Sequence, residues 1–170
     1  MRKVLILDTS ILCVWLNVPG KTDCGPDQDK WDSHRVAEKI QAEEEDKTIF
    51  VLPLATIIET GNHIAQAQHS RRDRGLALAD LMIKSANEET PWAAFSQQSE
   101  LWSPKKLIGL AQNWPDLANQ KLSLGDATIK DVAEFYANMG YRVEILTGDA
   151  GLKAYQPIEP MERPRRERHK

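Results

Sequence analysis

Short, wholly apolar runs alternate along the chain with longer stretches in which apolar residues recur every three or four positions. The short runs predict strands buried on both faces, and the longer stretches predict amphipathic helices. Strands are predicted at residues 3–7, 48–52 and 141–146. Helices are predicted at residues 11–16, 31–46, 54–68, 72–87, 104–117 and 127–138, with a short helical stretch near Leu152. This order predicts an α/β fold, a three-layer α/β/α sandwich around a central, mostly parallel sheet.

Capping and turn residues refine these boundaries. Thr9 or Ser10 is expected to cap the first helix. Proline at the first position opens the helix after Ser103, and Gly140 ends the helix that precedes the last strand. Gly61 and Asn62 are expected to interrupt the helix at 54–68. The expected inward positions are Val36, Ala37 and Ile40 in the second helix, and Leu76, Ala79, Leu81 and Ile83 in the helix at 72–87.

Two segments give no clear periodic signal. Residues 17–30 contain two prolines and two glycines and are predicted to form a long loop. Long ordered loops in compact domains tend to bind ligands or cover sites. Residues 88–103 are predicted to be packed but irregular, because Trp92, Phe95 and Trp102 lie in a stretch without helical spacing.

Length and charge limit the function classes. The chain has 170 residues, 41% of them hydrophobic, and a net charge of −3, which predicts one folded domain at residues 1–156. Residues 157–170 are basic, and we expect them to be disordered. No apolar run is long enough for a membrane span, and two cysteines with no secretory signal predict a cytoplasmic protein. The acidic body argues against passive binding of nucleic acid.

Four carboxylates are predicted to meet at one edge of the sheet. Asp8 follows the first strand directly, and Asp149 comes just after the last. Glu59 lies in the helix after the second strand, and Asp126 begins the helix before the last strand. Acids that converge in this way stay ionised together only when a cation neutralises them, and oxygen ligands suit Mg²⁺ or Mn²⁺.

Each of these acids also has a plain structural interpretation. An Asp at a strand end or a helix start is commonly a cap, and taken singly Asp8 or Asp126 favours that role. Glu59, however, lies in a mostly apolar stretch in which an unpaired acid would be expensive. Taken together, the four acids favour a functional site.

These residues carry a family resemblance. Leu7-Asp8-Thr9-Ser10, Ile58-Glu59, Leu124-Gly125-Asp126-Ala127 and Leu146-Thr147-Gly148-Asp149 resemble the motifs of PIN-domain ribonucleases, in order and in layout, over about residues 2–155. The resemblance implies that Asp8, Glu59, Asp126 and Asp149 are the catalytic and metal-binding residues, supported by Thr9 and Thr147. It also implies an RNA substrate, an antitoxin protein as partner, and a homodimer. The long loop and residues 71–114 are departures from a compact PIN toxin.

The implied chemistry is metal-assisted hydrolysis of RNA phosphodiester bonds. Candidate RNA contacts are Arg71, Arg72, Arg74, Lys105 and Lys106, although solvated helix starts are the favoured interpretation of both groups. The main alternative is a non-catalytic PIN-like module that binds RNA or protein. A phosphatase of the haloacid-dehalogenase type is disfavoured because Ser10 stands where its second Asp is needed.

Four further residues have open roles. His63 lies four positions after Glu59 and so shares its helix face. A packing role is favoured for it over a ligand role. Asp131 could be a fifth acid of the pocket, but an acid on the surface of its helix is the favoured interpretation. Cys13 and Cys24 are expected to be reduced thiols.

Overall fold

Three short parallel strands form the sheet of the computed structural model, which describes residues 2–158. In chain order the strands are β1 (Lys3–Leu7), β2 (Asp23–Cys24), β3 (Trp31–Asp32), β4 (Ile49–Val51) and β5 (Arg142–Leu146). The parallel sheet consists of β1, β4 and β5, and β2 and β3 form a separate two-stranded sheet. The helices are α1 (Thr9–Trp15), α2 (Ser33–Glu45), α3 (Leu54–Gln66), α4 (Arg71–Ala86), α5 (Pro104–Asn119), α6 (Leu124–Asn138) and α7 (Ala150–Lys153). Most of the predicted basic tail, from residue 159 onward, lies outside the described residues.

Strand β1 is the centre of the sheet. It pairs in parallel with β4 on one side and with β5 on the other, so that Val4 lies between Ile49 and Val143. The pairing with β5 continues one residue past the strand, because the Asp8 backbone N–H donates to the Leu146 carbonyl at 3.1 Å. The carboxyl ends of β1 and β5 therefore lie side by side, as the sequence predicts for a parallel sheet.

Successive residues of β1 enter two different core clusters. Leu5 and Leu7 pack in one cluster with residues of α1, α2, α3 and α4. Val4 and Ile6 pack in the other with residues of α6 and with Leu152 of α7. All four side chains are fully buried, which confirms the prediction that this strand is covered on both faces. None of the helices in residues 2–158 is both long and apolar enough to cross a bilayer.

Several local predictions are wrong. The cap of α1 is Asp8 and not Thr9 or Ser10, because the Asp8 carboxylate accepts a hydrogen bond from the Ser10 backbone N–H. Helix α3 runs through Gly61 and Asn62 without interruption, since one glycine costs a packed helix only about 1 kcal/mol.

The positions expected in two helices are confirmed only in part, since Val36, Ile40 and Leu81 are buried but others are not. In α2, Ala37 is exposed and Glu43 is buried. In α4, Leu78 and Leu81 are buried whereas Leu76 and Ile83 are more than half exposed. The spacing of apolar residues does not decide which of two adjacent helix faces is buried. That choice depends on the tertiary contacts of the helix.

The sequence predicts a long loop at 17–30, and in the structure this segment contains short elements of secondary structure. Its strand β2 pairs antiparallel with β3, and a 3₁₀ turn spans Asp27–Asp29 between them. A Cβ at Gly148 would lie only 2.7 Å from the Cys24 Sγ and from the Gly25 backbone nitrogen. The loop therefore folds back against the turn that follows β5, and glycine at position 148 is what permits the contact.

A group of charged side chains holds α2 to the start of the sheet. Glu43 accepts hydrogen bonds from Lys3, from Lys39 at 2.6 Å and from Thr48 at 2.6 Å. Both lysines also pair with Glu144 of β5. Burial alone would raise the pKa of Glu43, but these hydrogen bonds outweigh it and lower the pKa from 4.5 to about 2.

We expect Glu43→Gln to lower the free energy of unfolding by about 2–3 kcal/mol at pH 7, the cost typical of losing hydrogen bonds to a charged group. Because the folded-state pKa is depressed, this stabilisation is present above pH 4.5 and is lost as the pH falls toward 2. Urea unfolding at pH 7 and pH 3 should show the difference from wild type shrinking. The exposed Glu45→Gln on the same helix is the control, and equal effects of the two variants would contradict the account.

Candidate metal centre

Five carboxylates line one cavity of about 320 Å³, here called the acid cavity. They are Asp8 after β1, Asp23 in β2, Glu59 in α3, Asp126 in α6 and Asp149 before α7. The fold thus brings together the four acids chosen from the sequence and adds Asp23 from the loop. Their role as metal ligands stays a prediction.

Asp8 is the most buried of the five, with 5% of its surface exposed. Its Oδ2 atom accepts hydrogen bonds from the Ser10 hydroxyl at 2.7 Å, the Thr147 hydroxyl at 2.8 Å and the Ser10 backbone at 3.3 Å. The Ser10 hydroxyl in turn accepts from the Gly148 N–H at 3.0 Å. Asp8 is therefore fixed by both strand ends, whereas its Oδ1 has no protein donor among residues 2–158.

The other predicted acids follow the same arrangement. Glu59 Oε2 accepts from the Thr9 hydroxyl at 3.2 Å, and Asp126 Oδ2 accepts from the Ser123 hydroxyl at 2.7 Å. Asp149 Oδ1 accepts from the first backbone N–H groups of α7, at 2.6 and 3.3 Å. Asp126 also has a hydrogen bond with the Ser123 backbone, which lowers its pKa. In each carboxylate, at least one oxygen is thus held by a local donor.

Burial and mutual repulsion raise the pKa of two of these acids. Burial is the largest effect on Glu59, and the charges of Asp126 and Asp8 raise its pKa further, against the hydrogen bond from Thr9. Burial likewise raises the pKa of Asp126, and the charges of Asp8 and Asp149 add to the shift. The cavity therefore concentrates negative charge at a free-energy cost that a cation would relieve.

Gly125 sets the position of the Glu59 carboxylate. A Cβ at residue 125 would lie 2.1 Å from Glu59 Oε1. The Glu59 side chain therefore lies directly over the backbone of α6, one residue before Asp126. Any larger residue at 125 would push the carboxylate away. This explains why glycine stands between Leu124 and Asp126.

These donors fit a hard divalent cation. Carboxylate oxygens are the ligands of Mg²⁺ and Mn²⁺, and free oxygens on several acids around one cavity are what such an ion needs. Within residues 2–158, no three His, Cys, Asp or Glu side chains lie close enough together to hold one ion as they stand. Like charges repel at short range, so holding the four acids together around one ion would require that ion's charge.

Sequence reasoning missed or undervalued several cavity residues. Ser10 links Asp8 to Gly148, while His63, Lys21 and Asp23 line the cavity from α3 and from the loop. The spacing of Glu59 and His63 was a signal for His63, but nothing in the sequence indicates that the loop returns to the sheet edge.

The two cysteines also line this cavity. Burial raises the pKa of Cys13 to about 11, and it raises that of Cys24 as well. Both are free thiols that stay protonated near neutral pH, which agrees with the expectation of reduced cysteines. Neither is therefore available as a thiolate nucleophile there.

The candidate RNA contacts fall into different places. Arg71 and Arg72 are exposed at the start of α4, and Arg74 lines a smaller cavity that adjoins the acid cavity. Lys105 and Lys106 line a larger cleft of about 810 Å³ between α5 and α6, together with Asp131. This cleft is larger than the acid cavity but shares no lining residue with it. We therefore do not assign the chemistry to the cleft on the basis of its size.

Comparisons with protein-family models, with curated proteins and with solved structures find no match for the chain. The resemblance to PIN domains is neither supported nor refuted by them and stays a prediction. The physical observations available for the function are therefore the contacts and charges of the acid cavity itself.

We expect Glu59→Gln to raise the free energy of unfolding in EDTA at pH 7, by about 0.5 kcal/mol, the size of one like-charge repulsion. A raised carboxyl pKa means that the folded state loses stability as the pH rises above the ordinary value of 4.5. The gain should therefore vanish in urea unfolding at pH 3.5, where Glu59 is protonated. A loss of more than about 1 kcal/mol at pH 7 would make Glu59 a structural residue.

Proposed function

We propose that this protein is a metal-dependent endoribonuclease of the PIN type, which hydrolyses RNA phosphodiester bonds with Mg²⁺ or Mn²⁺. The observation that carries the proposal is the shared arrangement of Asp8, Glu59, Asp126 and Asp149. Each has a carboxylate oxygen held in place by a protein donor, and all four line a single cavity. The two core clusters on either side of β1 support the finer proposal of a three-layer α/β/α sandwich.

In this proposal some residues would hold the metal ion and others would position those ligands. A bound divalent cation would supply an activated water and neutralise charge on the scissile phosphate. Asp8, Glu59, Asp126 and Asp149 would hold it. The hydroxyls of Thr9 and Thr147 keep Glu59 and Asp8 in place, at 3.2 and 2.8 Å respectively, since a displaced ligand costs a metal site much of its affinity.

Ser10 gives a physical reason against the phosphatase alternative. Its hydroxyl donates to Asp8 and accepts from the Gly148 backbone. It is therefore occupied in positioning Asp8, and a hydroxyl offers no acid/base pair near neutral pH. A cytoplasmic location, an antitoxin partner and a homodimer belong to the proposal through the family resemblance alone.

We expect Asp126→Asn to lower the rate constant for cleavage of a labelled single-stranded RNA pool in Mn²⁺ by at least about 100-fold. Loss of a single partner that only orients a metal ligand already costs about 10–100-fold. Asp131→Asn is the matched control, because Asp131 lies on the same helix and burial raises its pKa too, yet it lines the α5/α6 cleft. Equal rates for Asp126→Asn and wild type would overturn the proposal. Binding of RNA without cleavage in any metal would favour the non-catalytic module.

A second test uses Gly125. We expect Gly125→Ala to weaken Mn²⁺ binding by about 10–100-fold, because the new Cβ displaces the Glu59 carboxylate. The melting temperature in EDTA should not fall, since the displaced atoms end a flexible side chain and alanine favours the helix. Gly109→Ala in α5 is the control, because a Cβ there meets nothing within 4 Å. Calorimetry that gives both variants wild-type affinity for Mn²⁺ would contradict the placement of Glu59.

A further inference from the structure

A second cavity, of about 180 Å³, adjoins the acid cavity and has the opposite charge. Its walls come from the loop, from Ser33 and from both sides of the start of α4. The lining residues are Asn17, Val18, Pro19, Lys21, Thr22, Ser33, His69, Ser70 and Arg74. The cationic side chains of Lys21 and Arg74 line it, and its lining includes no carboxylate. We call it the basic cavity. Such a surface is unusual in a chain whose net charge is −3.

Arg74 has an unmet hydrogen-bonding capacity in this cavity. Its Nε atom is buried and has no hydrogen-bond partner among the described residues. Neither Arg74 nor Lys21 forms an ion pair within residues 2–158. A buried guanidinium N–H without an acceptor is costly, and this marks Arg74 as a cation whose Nε–H the described residues leave unsatisfied.

The start of α4 adds positive potential at the same place. Its N-cap, Ser70, makes no capping hydrogen bond from its side chain, and the first four residues of the helix are three arginines and Asp73, which leaves an excess of positive charge. Cations at a helix N-terminus oppose the helix dipole and lower stability. A positive terminus of this kind is suited to hold an anion, so the arrangement favours binding over stability.

Lys21 connects the two cavities, because it lines both of them. It also affects groups within the acid cavity: burial lowers the pKa of His63, and the Lys21 charge lowers it further. Lys21 is therefore a wall residue both of the cavity that holds the five carboxylates and of the cavity that holds Arg74. An extended anion that reaches the carboxylates through a bound cation would meet Lys21 next and Arg74 after it.

We propose that Lys21 and Arg74 form a phosphate subsite, which binds a backbone phosphate of the RNA strand beside the one that is cleaved. The proposal rests on the nuclease function proposed above and adds to it the path that the strand takes across the surface. It assigns the contact to Arg74 among the three arginines of α4, and it gives Lys105 and Lys106 no part in it. A free nucleotide would offer the same phosphate chemistry, so the test must separate the two.

The test measures binding without metal and without cleavage. Asp8→Asn combined with Asp126→Asn removes two repelling charges and gives a background in which RNA stays intact in EDTA. The probe is a short, fluorescein-labelled single-stranded RNA followed by anisotropy at several salt concentrations. Lys21→Ala with Arg74→Ala is compared with Lys105→Ala with Lys106→Ala, which removes the same charge from the α5/α6 cleft.

We expect the Lys21/Arg74 pair of substitutions to weaken RNA binding at least about tenfold and to reduce the salt slope by about 0.7, since each phosphate neutralised on a single strand contributes about 0.7 and the two side chains share one phosphate. The Lys105/Lys106 pair should leave both quantities near the background values. Lys21→Gln alone should give about half the change in slope. Because Lys21 is exposed, this variant keeps the test valid if the Arg74 substitution causes misfolding. Equal losses in the two pairs, or no loss in the first, would overturn the subsite.

Two further arms separate the alternatives. If a nucleoside monophosphate binds through Lys21 and Arg74 while the RNA does not, the subsite belongs to a free nucleotide and the RNA assignment is wrong. In otherwise unaltered protein with Mn²⁺, Lys21→Ala with Arg74→Ala should raise the KM for RNA cleavage at least about tenfold and leave kcat within about twofold. Absence of cleavage by the wild type would refute the nuclease function, whereas the anisotropy result still decides the subsite.

Discussion

The rest of the structure depends on the burial of β1 on both faces. A strand whose side chains alternate between two core clusters cannot shift by one residue without exposing apolar groups, so its register is fixed. That register places Asp8 at the end of the strand, where its backbone pairs with Leu146 of β5 and its carboxylate accepts from Thr147. The most buried acid of the molecule's charged cavity is thus positioned by the core, and the other acids are arranged around it.

The acid cavity combines rigid support with electrostatic cost. One oxygen of each predicted acid is held by a hydroxyl or by helix N–H groups, and Gly125 leaves space for the Glu59 carboxylate over α6. Burial and repulsion raise the pKa of Glu59 and Asp126, so the folded protein retains charge that opposes its own stability near neutral pH. Natural sequences keep such conflicts at functional sites. Lys21 and Arg74 of the adjoining basic cavity add cationic side chains next to these acids.

The sequence predicts those features that depend on local patterns. The strand at Lys3–Leu7 and the helix after Ser103 follow from apolar spacing and capping, and the order of the elements is enough to place Asp8 and Asp149 at one sheet edge. It does not predict features that depend on distant partners. In the sequence, Glu43 is part of a polar helix end. The residues that hold it inside are Lys3, which is distant in the sequence, and Thr48, which lies beyond the end of α2. For the same reason the loop at 17–30 gives no sign that it supplies Asp23 and Lys21 to the cavity walls.

The central claim is that the acids after β1 and at the start of α6 share one divalent cation. The most direct measurement is a crystal structure of the protein grown with Mn²⁺, recorded so that the anomalous signal locates the metal. The account predicts a peak in the acid cavity in direct contact with the free oxygens of Asp8 and Asp126, with Glu59 drawn toward it. A well-ordered cavity with no peak, in which Asp8 still accepts only from Ser10 and Thr147, would contradict the account.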